Sequence, residues 1–419
     1  MEAIVQPVFA GGSLQAPTSK SDAHRALICA ALSDNNCTLR VGERNADIDA
    51  TLRCLTTLGA GFSYPDADTV QVAPITTVHH GGLADCGESG STLRFMLPVA
   101  AALGATTDFV GSGKLPQRPL SELVDALSAH GCTCSCDHLP LQIRGQLTGG
   151  RYSLPGNISS QYVTGLLFAL PILGGDSEIV LTTPLQSAGY VDMTLRTMAR
   201  FGVEVQVTDT GWRIPGNQKY HAPDGIRVEG DWSGAAFPLS MGALCKAVTV
   251  RNLHLDSAQP DRAIIDLLRR FGAQVTQDGD CFTVSPAPLT AQTIDVAEIP
   301  DLAPILAVVA ACAKGRSRLE NAARVRLKEC DRLTAATQML RAMGVNIIEY
   351  PDALEIDGVQ MLHGASVDGY NDHRMVMAAA VAALRAQGET RISDAQAVRK
   401  SYPYFFEDLG KLGGTVNVV

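Results

Sequence analysis

Several short stretches set Lys or Arg among small polar residues directly ahead of apolar runs. The first is Pro17-Thr18-Ser19-Lys20-Ser21-Asp22-Ala23-His24-Arg25, which leads into Ala26 to Leu32. Pro17 disfavours helix at Ala16, and Ser19, Ser21 or Asp22 can cap a helix that begins there. A helix N-terminus carries positive partial charge and exposed N–H groups. With Lys20 and Arg25 beside it, the stretch suits an anion, phosphate or carboxylate. It is not a P-loop, because Ser19 and not Gly precedes Lys20. Lys or Arg stands in the same setting at Cys86-Gly-Glu-Ser-Gly90-Ser91-Thr-Leu-Arg94, Gln117-Arg118-Pro119, Lys328-Glu329-Cys-Asp-Arg332, Tyr370-Asn-Asp372-His373-Arg374 and Lys400-Ser-Tyr-Pro403, and polar openings without a cation stand at Ser159-Ser160-Gln161-Tyr162, Ser187-Ala-Gly-Tyr190 and Asp231-Trp-Ser233. Taken singly, each reads more readily as a capped helix with solvated charges. That reading weakens when nearly every such helix opens the same way. Two carboxylates stand inside the basic set: Asp301, after Pro300 and ahead of the most apolar run, and Glu329, between Lys328 and Arg332. Neighbouring cations favour the ionised form and desolvation opposes it, which is how acid and base roles are divided. The plainer alternatives are an N-cap for Asp301 and an i, i+3 ion pair with Arg332 for Glu329.

The elements that must position these groups repeat. An amphipathic helix ending in glycine recurs at Thr51 to Gly59, Glu122 to Gly131, Met193 to Gly202, Ile264 to Gly272, Ala336 to Gly344 and Phe405 to Gly413, with the glycines at intervals of 72, 71, 70, 72 and 69 residues. Each glycine sits where a helix C-terminus takes a left-handed residue, and so regular a period marks an internal repeat. Each repeat also carries an earlier, Ala-rich helix: Asp22 to Leu32, Gly90 to Leu103, Ser159 to Leu170, Ser233 to Leu244, Asp301 to Ala313 and His373 to Leu384. These are apolar nearly all round and are expected to be buried all round. Short strands, such as those at 248–253 and 390–392, lie between. Two domains of three repeats are the natural partition, with a crossover near Val228 to Asp231. Helix N-termini gathered at the ends of two such bundles would line a cleft with Lys20, Arg25, Arg118, Lys328, Arg332, Arg374 and Lys400, a field suited to a ligand pair with several negative charges.

The 419 residues suffice for two or three domains, and 46% hydrophobic with 18% charged residues excludes a disordered chain. A formal net charge of −9 disfavours a nucleic-acid partner. The longest apolar runs are shorter than the roughly 20 residues a membrane span needs, and no signal-peptide order is present. Eleven cysteines without disulfide-scaffold spacing point to a reducing cytoplasm. In a strand, Cys132, Cys134 and Cys136 would share a face, but zinc sites use wider spacing with further ligands, and no metal is expected.

The set Lys20-Ser21-x3-Arg25, Gly90-Ser91-Thr-Leu-Arg94, Gln-Arg118-Pro, Ser159-Ser160-Gln161-Tyr, Lys328-Glu329-x-Asp-Arg332, Asn-Asp372-His373-Arg374-Met and Lys400-Ser-Tyr-Pro resembles the 3-phosphoshikimate 1-carboxyvinyltransferase (EPSP synthase) family, over the full length and in order. The resemblance implies an α/β fold of two inside-out, barrel-like domains, each of three repeats with buried parallel helices and small outer mixed sheets. It implies a discontinuous first domain (1–18 with 229–419), a second (19–228), and an active site in the cleft between them. The implied reaction moves the enolpyruvyl group of phosphoenolpyruvate to the 5-hydroxyl of shikimate 3-phosphate and releases phosphate. The implied shikimate 3-phosphate site is Lys20, Ser21, Arg25, Ser159, Ser160, Gln161, Ser187, Tyr190, Asp301 and Lys328. Ser21 and Arg25 would hold the carboxylate. Ser159, Ser160, Ser187 and Lys328 would hold the phosphate. The implied phosphoenolpyruvate site is Lys20, Gly90, Arg118, Gln161, Arg332, Arg374 and Lys400, with Arg332 and Arg374 on the carboxylate. Asp301 would act as base on the hydroxyl, and Glu329, with Lys20, would serve proton delivery. No metal or organic cofactor is required, and a monomer with no nucleic-acid or membrane partner is expected.

Ser91 replaces the usual Thr, Phe95 stands where Pro is common, and Arg324 takes a position where some members use Asn. The nearest rival is the UDP-N-acetylglucosamine enolpyruvyl transferase family, which carries a reactive Cys ahead of the Arg matching Arg118. Gly111 to Gln117 contains none. A non-catalytic repeat scaffold would instead place its charge on outer faces.

Overall fold

The Ala-rich runs form helices that solvent does not reach. In a computed structural model describing residues 1–419, twelve α-helices follow one another: α1 (Lys20–Ala31), α2 (Ala46–Leu58), α3 (Gly90–Ala102), α4 (Ser121–Ser128), α5 (Ser160–Ala169), α6 (Ala188–Arg200), α7 (Trp232–Leu244), α8 (Ile264–Phe271), α9 (Ala303–Ala311), α10 (Arg332–Ala342), α11 (His373–Ala383) and α12 (Phe405–Lys411). Every residue of α7, α9 and α11 is buried. In α3 and α5 only Ser91 and Gln161 are not. The even-numbered helices bury one face: α8 turns Ile264, Ile265, Leu267, Leu268 and Phe271 inward and leaves Asp266, Arg269 and Arg270 in solvent. Each fully buried Leu, Ile or Phe contributes roughly 1.5–3 kcal/mol, so the inner helices are held by tertiary burial more than by their own propensity.

The repeat is visible in the backbone. The six glycines that close the even-numbered helices all have positive φ, between 76° and 116°, the conformation that ends a helix with its last carbonyls satisfied. At Gly59 a Cβ would also lie 2.3 Å from Thr77 O. Two helix starts differ from expectation. The second helix of the first repeat begins at Ala46, not near Thr51, because Asn45 caps it, its side chain accepting from Ile48 N at 3.0 Å. The most apolar helix begins at Ala303, with Pro304 in its first turn, where a missing N–H costs nothing. Asp301 therefore lies in the preceding turn and does not cap it.

Six four-stranded sheets share one order, and a two-stranded ladder accompanies them. In Gly82–Asp85, Thr107–Val110, Leu141–Gly145 and Cys132–Cys134, for example, the first pair is parallel across α3 and the rest are antiparallel. Three sheets complete themselves with distant chain. Gly12–Gln15 pairs parallel with Val248–Arg251, and Ile226–Arg227 pairs parallel with Cys37–Arg40. Ala3–Gln6 lies between Thr390–Ile392 and Thr415–Val418. The chain thus divides into two units, Met1–Ser19 with Glu229–Val419 and Lys20–Val228, the division falling one residue beyond the expected 18/19 boundary. Each unit has its own apolar core. In the discontinuous unit α7, α9 and α11 pack on one another. In the continuous unit α3 packs on α5, and Gly165 permits it: a Cβ there would sit 2.2 Å from Arg94 O. No helix is long and apolar enough to cross a membrane.

Candidate active site

In the unit Lys20–Val228 the polar groups gather at helix starts. Lys20, first residue of α1, places Nζ 2.9 Å from Asp47 Oδ2 in the first turn of α2. One turn on, Arg25 is 2% exposed. Its Nε donates to Thr194 Oγ1 at 2.9 Å, Nη1 to the Ser21 carbonyl at 2.6 Å and Nη2 to the Tyr190 carbonyl at 2.8 Å. Burial draws its pKa down to about 10 against the pull of Asp22, so it stays charged at neutral pH. Ser89 caps α3, its Oγ accepting from Thr92 N at 3.2 Å. At Gly90 a Cβ would fall 2.6 Å from Arg118 Nη1 and 2.8 Å from Arg94 Nη1. Only a residue without a side chain lets two guanidiniums lie over this helix start. Ser159 caps α5 by accepting from Gln161 N at 3.3 Å, and Ser160 follows it, buried. Gln161 accepts from Arg94 Nη1 at 2.8 Å and donates to Ser91 Oγ at 2.9 Å, which ties α5 to α3. Ser187 precedes α6 with φ of 58°, a strained conformation for a serine.

The discontinuous unit holds a second cluster, built round Arg332 at the start of α10, 1% exposed. Its Nε donates to Asp372 Oδ2 at 2.7 Å, Nη1 to Asp301 Oδ1 at 2.9 Å and Nη2 to Glu329 Oε2 at 2.6 Å. Asp301 also meets Lys328 Nζ, 3.3 Å from Oδ1, and Arg374 Nη2, 3.0 Å from Oδ2. Three cations thus converge on one carboxylate. Asp372 caps α11 as well, accepting from Arg374 N at 2.8 Å. Burial, the largest influence, would raise its pKa, but the charge and hydrogen bond of Arg332 together with His373 hold it below the usual carboxylate range. Burial brings Lys328 down to about 8, against the pull of Asp301. Lys400 donates to the Asn371 carbonyl. Asp261 accepts from the Ser233 hydroxyl, and burial, with Asp301 next, raises it to about 7.

The sequence-predicted residues therefore fall into two sets. Lys20, Ser21, Arg25, Gly90, Arg118, Ser159, Ser160, Gln161, Ser187 and Tyr190 lie in one unit, and Asp301, Lys328, Glu329, Arg332, Arg374 and Lys400 in the other. Sequence reasoning missed the partners that hold them. Asp47 escaped notice because its helix was expected to start four residues beyond it. Asp372 was visible within its motif, but no pattern tied it to Arg332, 40 residues earlier. The exchange at Arg324 puts one more positive charge near Lys328, and that charge helps lower the Lys328 pKa. The three thiols do not share a strand face. The strand ends at Cys134, and Cys136 beyond it donates to the carbonyls of His138 and Pro140.

The family profile described as EPSP synthase (3-phosphoshikimate 1-carboxyvinyltransferase) matches residues 6–409. A 3-phosphoshikimate 1-carboxyvinyltransferase of Clostridium kluyveri is 40% identical over 423 residues, covering 99% of this chain and 97% of the relative. One of Clostridioides difficile is 38% identical, covering 99% and 98%. Among solved structures, an EPSP synthase of Acinetobacter baumannii superposes with a TM-score of 0.84 at 23% identity, covering 100% of this chain and 99% of that one. The enolpyruvyl transferase NikO of Streptomyces tendae gives 0.79 at 18%, covering 99% and 98%. A match of that length, on a chain whose basic helix starts and carboxylates stand in the family's order, places the protein in the EPSP synthase family.

Proposed function

We infer that the chain transfers the enolpyruvyl group of phosphoenolpyruvate to the 5-hydroxyl of shikimate 3-phosphate, releasing inorganic phosphate in the shikimate pathway. The observation that carries the mechanism is the convergence of Lys328, Arg332 and Arg374 on Asp301. In this reading both clusters serve one substrate pair. Ser21 and Arg25 bind the shikimate carboxylate. Ser159, Ser160, Ser187 and Lys328 bind its 3-phosphate, with Gln161 and Tyr190 beside it. Lys20, Gly90, Arg118 and Lys400 take the phosphoenolpyruvate phosphate, supported by the opening over α3 that Gly90 leaves for Arg118.

Arg332 and Arg374 take the phosphoenolpyruvate carboxylate. That substrate carboxylate replaces Asp301 on Arg374, and the released Asp301 oxygen accepts the proton of the 5-hydroxyl as the hydroxyl oxygen bonds to C2. C3 takes up one proton, from Glu329, which lies within 2.6 Å of Arg332 and is protonated when it gives it, or from Lys20. The methylene becomes a methyl and C2 becomes tetrahedral. Loss of phosphate from C2 and return of a methyl proton to the group that gave it then restore the double bond. Fixed cations stabilise the charge that develops at each step, and the named groups suffice with no metal or organic cofactor. In this reading the protein is a monomer, and it acts in the cytoplasm, the compartment that eleven free thiols suit.

The test is phosphate release on mixing protein with phosphoenolpyruvate and shikimate 3-phosphate. Release that needs UDP-N-acetylglucosamine instead would move the chain to the rival reaction, and no release with either acceptor overturns the reading.

A further inference from the structure

The core of the unit Lys20–Val228 contains a polar chain that none of the assigned roles uses. His24 Nδ1 lies 2.7 Å from Thr51 Oγ1. Thr51 Oγ1 lies 2.8 Å from Thr92 Oγ1. Thr92 Oγ1 lies 2.8 Å from Ser89 Oγ, which caps α3, and 3.4 Å from the Asp47 carbonyl. His24, Thr51 and Thr92 are wholly buried and Ser89 is 1% exposed. Four polar groups in an apolar core are costly unless each is satisfied.

The direction of the chain follows from its end. His24 Nε2 is buried with no hydrogen-bond partner. A buried N–H left unpaired costs more than a bare ring nitrogen, so the hydrogen sits on Nδ1 and donates to Thr51. Thr51 then donates to Thr92, and Thr92 to Ser89 or the Asp47 carbonyl. Burial, with Lys20 and Arg25 next, lowers the His24 pKa well below its ordinary value, which keeps the ring neutral in this role. The chain begins on α1, one turn after Lys20, crosses α2 through Thr51, and ends at the residue before Gly90. At Asp47 it touches the residue that pairs with Lys20.

We propose that His24, Thr51 and Thr92 are positioning residues that set the start of α3 at Gly90 against Lys20, and so fix the spacing of the groups that grip one phosphate. This rests on the assignment of Lys20, Gly90 and Arg118 to the phosphoenolpyruvate phosphate. Shikimate 3-phosphate shares Lys20 but is gripped mainly through Ser21, Arg25, Lys328 and the starts of α5 and α6, and so depends on the chain much less.

The experiment first confirms phosphate release by the unaltered protein, which tests the reaction itself. It then compares Thr92→Val, which keeps the shape and removes the hydroxyl, with Thr92→Ser, which keeps the hydroxyl. KM for phosphoenolpyruvate is measured at saturating shikimate 3-phosphate, and shikimate 3-phosphate binding alone by calorimetry. Thr92→Val is expected to raise KM for phosphoenolpyruvate about fivefold to tenfold, with kcat and shikimate 3-phosphate affinity each changed less than about twofold. Thr92→Ser is expected to restore KM. Thr51→Val breaks the same link one residue earlier and carries the test if Thr92→Val does not fold. An unchanged KM in a folded variant overturns the proposal. So does an equal loss of affinity for both substrates, which is the mark of general core damage.

Discussion

Arg25 and Arg332 are both buried guanidiniums near the start of a helix, and they are held by opposite means. Arg25 donates to a hydroxyl and two backbone carbonyls. Arg332 donates to three carboxylates. Neutral acceptors satisfy a guanidinium's geometry and leave its charge to attract a substrate anion. Carboxylates cancel the charge, and in exchange the cluster holds ionisable groups ready for proton transfer. In the second cluster three cations, Lys328, Arg332 and Arg374, face three carboxylates, Asp301, Glu329 and Asp372. The first cluster is built to bind and the second to bind and to move protons. Both are buried, so the difference lies in the partners and not in the dielectric.

The comparison breaks most sharply at Asp301. Asp301→Ala removes the acceptor for the hydroxyl proton and is expected to lower turnover by roughly 10²–10⁴ with the fold retained. Near-normal kcat in that variant would falsify the division of labour. Arg332→Ala comes next. It leaves Asp372, buried and depressed in pKa mainly through this contact, without its main counter-charge. Removing one partner of a buried pair costs about 3–5 kcal/mol, so a large fall in thermal midpoint is expected. Arg25→Met breaks hydrogen bonds to neutral acceptors and takes from Asp22 a charge that only attracts it, and should destabilise the fold much less. Equal losses in the two variants would show that neutral and charged partners are equivalent here. Gly90→Ala is smaller again. A methyl 2.6 Å from Arg118 Nη1 forces that side chain to shift, and a displaced contact of about 1 kcal/mol raises KM for phosphoenolpyruvate about fivefold.

What was legible in the sequence follows the same division. The six glycines, the six apolar helices and the basic residues at their starts could be read because each rests on local rules: a left-handed helix end, a helix apolar on every side, a capped and charged N-terminus. Helix starts were less legible. Asn45 moved α2 forward to Ala46 and Pro304 moved α9 back to Ala303, each a cap or first-turn effect that periodicity does not encode. The clamps were not legible at all. Thr194 reaches Arg25 across 169 residues and Asp372 reaches Arg332 across 40, and only the folded chain makes them neighbours. The edge-strand exchange of Gly12–Gln15 and Ile226–Arg227 was hidden for the same reason, since a period locates a crossover without saying which sheet each strand joins.

The smallest effect sharpens the comparison through pH. Lys328, at the rim of the charge-balanced cluster with its side chain 20% exposed, has its pKa lowered by burial from 10.5 to about 8. A lysine must be protonated to hold a phosphate. In the unliganded enzyme, kcat/KM for shikimate 3-phosphate is therefore expected to fall as pH rises through about 8. A bound phosphate dianion favours the charged lysine, so kcat at saturation should hold to higher pH. The same shift makes Lys328 a cost to folding below pH 8, and that cost fades between about 8 and 10.5 as the unfolded chain keeps a proton that the fold has lost. Lys328→Arg keeps a cation at every accessible pH and should move the fall in kcat/KM upward. A wild-type profile that stays level to pH 10, or an Arg variant with an unmoved midpoint, would assign the phosphate to another cation.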